Sequence, residues 1–121
     1  MIENFRHFEV RDSFGQVWGV EFLWLQTAIS IRHSDSVDVK FALTSGAERV
    51  EKVIALSNPD LLAISRAAGR PITDPWCSRL AALHLARVIE TGEDMEKALI
   101  NVRADDLEAH SAQLRKRAAV A

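Results

Sequence analysis

The chain has 121 residues, 48% of them hydrophobic and 26% charged, which is the composition of one folded domain and excludes disorder as the main state. Fifteen basic residues against seventeen acidic give a formal charge of −2, whereas dedicated nucleic-acid binders carry a basic excess to neutralise phosphate. The single cysteine, Cys77, excludes an internal disulfide and a four-cysteine zinc site, and no apolar run approaches the ~18 residues of a membrane-spanning helix.

Met1-Ile2-Glu3-Asn4 shows no basic stretch followed by an apolar one, so no secretory signal is read and a reducing, cytoplasmic setting is expected. All five Phe and two of the three Trp lie before position 42, and after position 57 the apolar residues are mainly Leu, Ala, Ile and Val. Aromatic and β-branched residues favour strands, and Ala and Leu favour helices. A first strand is expected at Phe5–Arg11, followed by turn residues Asp12-Ser13-Phe14-Gly15. The second strand, Gln16–Leu25, places Trp18, Val20, Phe22 and Trp24 on one face and Val17, Gly19, Glu21, Leu23 and Leu25 on the other. With both faces largely apolar, this strand is either covered on both sides or meets another chain.

A short segment comes next at Ala28–His33, with Ile29 and Ile31 on one face, and Gln26–Ala28 reads equally as a bend, a bulge or a helical turn. The cleanest half-buried strand has Val37, Val39, Phe41 and Leu43 alternating with Asp38, Lys40, Ala42 and Thr44. Ser45-Gly46 turns it back into Glu48–Leu56.

Helix punctuation then takes over. Ser57 or Asn58 caps, Pro59 suits the first helical position and Gly69 the position past the end. Asp74 caps a second helix with Pro75 inside its start and Gly92 at its close. A third helix is expected at Glu93–Val102 from the spacing of Met95, Leu99 and Val102. In the last segment, Ala104–Ala118, acids come first and bases last, complementing the helix dipole. The fold expected is a two-layer α+β domain spanning 1–121. An antiparallel meander of four or five strands fills 1–56, and three or four helices in 57–121 pack on one face.

No motif specifies a reaction. Cys77 and His84, seven residues apart on one helix, are separated by roughly 10 Å along its axis, too far for a nucleophile and its base. The four histidines show no ligand spacing, although His7 and His33 could meet across the sheet, so no metal and no cofactor are expected. The glycines form no phosphate loop, and Gly19 reads as a bulge or a close backbone approach. Glu21 interrupts an apolar strand face. It either reaches solvent at the sheet edge or pairs with Arg6, Arg11, Arg32 or Lys40. Leu61–Leu83 has a helix-turn-helix outline with Arg66, Arg70 and Arg79 nearby. Its second helix opens with Asp-Pro-Trp-Cys, unsuited to base edges.

Three functional expectations result. The first is a non-enzymatic binding and assembly module, a homodimer or higher oligomer held through an aromatic sheet face carrying Trp18, Phe22 and Trp24. The second is a small-ligand binder or enzyme with Trp76, Cys77 and His84 in a pocket between sheet and helices. The third is a nucleic-acid module using Arg66, Arg70 and Arg79 or the terminal Arg115-Lys116-Arg117.

Overall fold

The strict alternation between Val37 and Leu43 is kept in three dimensions. Val39, Phe41 and Leu43 are fully buried and Val37 nearly so, while Asp38 and Lys40 stay partly exposed. The computed structural model describes residues 2, 4–28 and 35–120. Within them the element order is β1 (His7–Arg11), β2 (Val17–Ala28), β3 (Ser36–Ser45), β4 (Glu48–Ser57), α1 (Asn58–Ala68), α2 (Asp74–Thr91), β5 (Leu99–Asn101) and α3 (Ala104–Val120). The rest of the segment expected at Ala28–His33, with Ile29, Ile31 and His33, lies outside the described residues.

The strands form one sheet in the order β1-β2-β3-β4-β5. The first four pair antiparallel, and β5 joins β4 in parallel. The result is a two-layer α+β fold with a mostly antiparallel sheet. Its inner face carries Phe8, Val10, Trp18, Val20, Val39, Phe41, Ile54 and Leu56 against α1 and α2. Within α2, every residue from Leu80 to Ala86 is buried. One side of this helix meets the sheet and α3 packs on another, with Leu107 and Leu114 sealing the contact. A helix buried around most of its circumference loses its polar stripe, and in α2 beyond the first turn the exposed residues are Arg79, Arg87, Glu90 and Thr91.

The turn residues act as their chemistry dictates. The Asp12 carboxylate accepts from the backbone N–H groups of Phe14 and Gln16 and from Trp18 Nε1, and Gly15 takes a φ of 87°. Gly69, at φ 64°, closes α1. The N-cap of α2 is Thr73, whose hydroxyl accepts from Trp76 N–H at 3.3 Å, and not Asp74.

The helix expected at Glu93–Val102 does not form. Gly92 (φ 76°) ends α2 and Asp94 also sits in the left-handed region at φ 65°. The free edge of β4 captures the chain beyond this turn: Val53 N–H donates to Ala98 O and Val102 N–H to Ala55 O. Lys52 reinforces this from within. Its side chain is 5% exposed, and Nζ donates to the carbonyls of Met95 and Lys97 at 2.6 and 2.7 Å. Pairing replaces helical spacing with a period of two, so Ile100 is buried and Leu99 is exposed.

Candidate interaction surface

The register of β2 against β3 decides where its aromatic residues go. From Gly19 to Phe22 each residue steps regularly along β3, with Phe22 opposite Phe41. The next partner pair is Trp24 and Lys40, so Leu23 is the extra residue of a β-bulge. Past that point the alternation is inverted. Trp18, Val20 and Phe22 point to the helices, Trp24 points away from them, and Leu25, opposite buried Val39, returns to the core side.

The aromatic face expected from Trp18, Phe22 and Trp24 is therefore split. Trp18 is 6% exposed and belongs to the chain's own core, its indole N–H held by Asp12. Phe22 is half-buried and meets Phe41 edge-on, with ring centroids 6.1 Å apart and the Arg6 guanidinium 4.7 Å above it. Trp24 lies on the outer sheet face, where Lys40 Nζ sits 5.6 Å from its ring. Gly19 marks neither the bulge nor a tight approach: a Cβ there would meet only Thr44 O, at an ordinary 3.6 Å.

On the outer face the pairing aligns Trp24, Lys40, Val53 and Leu99 in one row across four strands. Leu99 is 52% exposed, and Trp24 and Val53 are half-buried. Next to that row the Glu51 carboxylate accepts from Lys40 at 2.9 Å and from Arg49 at 2.6 Å, and these contacts hold its pKa below the usual range. Glu21 is exposed on this same face, opposite His7 and Ala42, which is the solvent-facing reading. No described helix covers this side, since α1 and α2 contact the sheet through its inner face.

Strand β1 ends opposite β2 at Glu21, with one more hydrogen bond from Phe22 N–H to Arg6 O. Beyond it the β2 edge borders a cavity of about 510 Å³, lined by Phe5, Arg6, Phe22, Trp24, Leu25 and the start of α2 at Asp74–Arg79. None of the ion pairs among the described residues uses Arg6, Asp74 or Arg79. The Arg79 guanidinium lies 5.7 Å over Phe5, which Arg117 also approaches, at 4.9 Å.

The residues of the pocket expectation part company. Trp76 and Cys77 are 2% and 1% exposed and pack into the core. Burial, with the Asp74 charge nearby, pushes the Cys77 thiol up to about 11. His84 instead faces His110 of α3, with Nδ1 and Nε2 3.1 Å apart and both rings buried. Helix pitch alone could not disclose that partner, which lies 26 residues on, on a different helix. Among the described residues no group of three or more His, Cys, Asp or Glu could hold a metal ion. No described helix is long and apolar enough to cross a membrane. The helix-turn-helix cations are dispersed: Arg66 is exposed on α1, Arg70 lies over Trp76 and Arg79 over Phe5. Arg115 and Lys116 are exposed, while Arg117 turns back onto Phe5.

Comparison of the chain with protein-family models, curated proteins and solved structures finds no match.

Proposed function

We propose that the chain is a non-catalytic assembly module that pairs with a second copy of itself through the corner around Trp24. The observation that carries this reading is the bulge at Leu23, which turns a tryptophan out of the core into line with Val53 and Leu99 on a sheet face that no described helix covers. The bulge breaks the regularity of the ladder and leaves a large aromatic partly exposed.

The same corner is self-complementary. Its cavity joins apolar Phe5, Phe22 and Leu25 to Arg6, Arg79 and Asp74, so a two-fold axis there sets cations of one copy against the acid of the other. Burying the part of each Trp24 that is still exposed against the partner contributes about 1–2 kcal/mol before the cost of association. Sedimentation at micromolar concentration tests the reading. The wild-type chain is expected to run as a dimer and Trp24→Glu as a folded monomer. A monomeric wild type overturns it.

A further inference from the structure

The opposite side of β1 presents a second groove, unconnected with Trp24. Among the described residues strand β1 is the edge of the sheet, with β2 as its single neighbour. A cavity of about 610 Å³ lies between it and the helices. One wall is His7, Phe8, Glu9 and Val10, four successive residues whose side chains alternate between the two sheet faces. A cavity that touches all four must run along the main-chain edge of the strand and not merely over one face. The rest of the lining is Leu83, Ala86, Arg87 and Glu90 on one stripe of α2, His110 and Gln113 of α3, and Ile2 and Asn4 ahead of β1. The floor is apolar and nearly closed: Phe8, Val10, Leu83 and Ala86 are between 6% and 8% exposed.

An edge strand facing a helix across an apolar floor is the geometry in which an extended peptide adds to a sheet. The rim specifies its charge. Glu9 and Glu90 are exposed, and no ion pair among the described residues involves either. Arg87, the cation in the cavity lining, is paired with Asp106, and Arg11, which lies outside that lining, turns back to donate to Gly15 O at 3.2 Å. The lining therefore carries two carboxylates, Glu9 and Glu90, outside any ion pair among the described residues, and no arginine or lysine besides the paired Arg87.

We propose that this groove binds an extended peptide segment of another protein, alternating apolar and basic residues, as an added strand on the free edge of β1. Its apolar side chains face Leu83 and Ala86 beside Phe8 and Val10. Its basic side chains lie beside Glu9, and a long one reaches Glu90. The five residues of β1 support a strand of roughly 17 Å at about 3.4 Å per residue.

The probe is a capped heptapeptide alternating valine and lysine, titrated into the full-length chain and followed by amide NMR and by fluorescence polarisation of a labelled copy. Binding is expected with the largest shifts at His7–Val10 and along Leu83–Glu90. Methylating alternate peptide nitrogens on the side facing β1 is expected to weaken it at least tenfold. Glu9→Lys with Glu90→Lys should weaken it five- to tenfold while leaving the spectrum of the free protein otherwise unchanged, since both side chains are exposed. A valine–glutamate peptide should bind at least tenfold more weakly than the valine–lysine one. No binding at millimolar peptide, indifference to N-methylation, equal binding of the acidic peptide, or shifts centred on Trp24 would each overturn the proposal. So would concentration-dependent shifts at His7–Val10 without peptide, which would give the groove to a second copy.

Discussion

Nδ1 of His84 and Nε2 of His110 lie 3.1 Å apart in the seam between α2 and α3, with the two rings inclined at 69°. At that distance one nitrogen donates and the other accepts, so the accepting imidazole is neutral. Burial lowers both pKa values, which favours the neutral form of the donor as well. For His110 the neighbouring His84 adds to the effect and brings the value to about 4. The groups around the pair are Arg87 on α2, Asp106 on α3, and Glu93 and Asp94 in the turn after α2.

The pair makes the fold sensitive to acid, and the sign comes from proton counting. An unfolded histidine binds its proton below about pH 6.5, and folded His110 only near about 4. Between these values the unfolded chain holds more protons. Stability from the pair is complete above about pH 6.5 and is lost as pH falls towards about 4, by up to roughly 3 kcal/mol. Carboxylates titrate in the same region, so the measurement is a difference. Denaturant midpoints at pH 7 and pH 4.5 are compared for wild type and His110→Gln, whose amide stays neutral. The variant should lose much less stability on acidification. Equal losses would show that the histidines do not carry the effect.

Cys77 should resist labelling in the native state. The thiol is 1% exposed and its pKa is raised to about 11, so about one molecule in a thousand carries a thiolate at pH 8. A disulfide reagent should react over hours with the folded chain and within a minute in denaturant. Fast native labelling would place Cys77 in an open site.

Lys52 holds β5 to the sheet. Its ammonium is buried, which lowers its pKa, yet it is spent on two carbonyls and not on a carboxylate. Lys52→Met leaves the carbonyls of Met95 and Lys97 without their donor and should cost about 2–4 kcal/mol. Amide exchange should quicken most in the turn before β5, whose backbone the ammonium fastens. A change below about 0.5 kcal/mol would mean that water replaces the ammonium without penalty.

Alternation identifies β3 because the strand is regular, and Pro59, Gly69, Pro75 and Gly92 bound α1 and α2 because these residues restrict or extend φ locally. Both kinds of signal are short in range. The bulge at Leu23 carries no residue signature, and one unpaired residue inverts every later side chain of β2, which separates Trp24 from Trp18. Met95, Leu99 and Val102 fit a helical stripe, but the free edge of β4 and the buried Lys52 form bonds that spacing cannot register. His84 and His110 are adjacent only because α3 packs on α2. In each case a long-range contact outweighs a local preference.

Trp18 and Trp24, six residues apart on one strand, should respond oppositely to substitution. Trp18 is 6% exposed and its indole donates to Asp12, so Trp18→Ala opens a core cavity and should cost about 3–5 kcal/mol of monomer stability. Trp24 is partly exposed on the outer sheet face, and its approach to Lys40 is worth about 0.5–1 kcal/mol at such a site. Trp24→Ala should therefore change the stability of a dilute sample little. At higher concentration the wild type gains stability by mass action while the Trp24 variant does not. The readout is the denaturation midpoint at two protein concentrations a hundredfold apart. A wild-type midpoint that rises with concentration, and a Trp24→Ala midpoint that does not, would locate the dimer contact at Trp24. If the wild-type midpoint is independent of concentration, the outer sheet face does not join two copies. If Trp24→Ala costs as much as Trp18→Ala, the side chain serves the core of its own chain, and the bulge at Leu23 is a packing device alone.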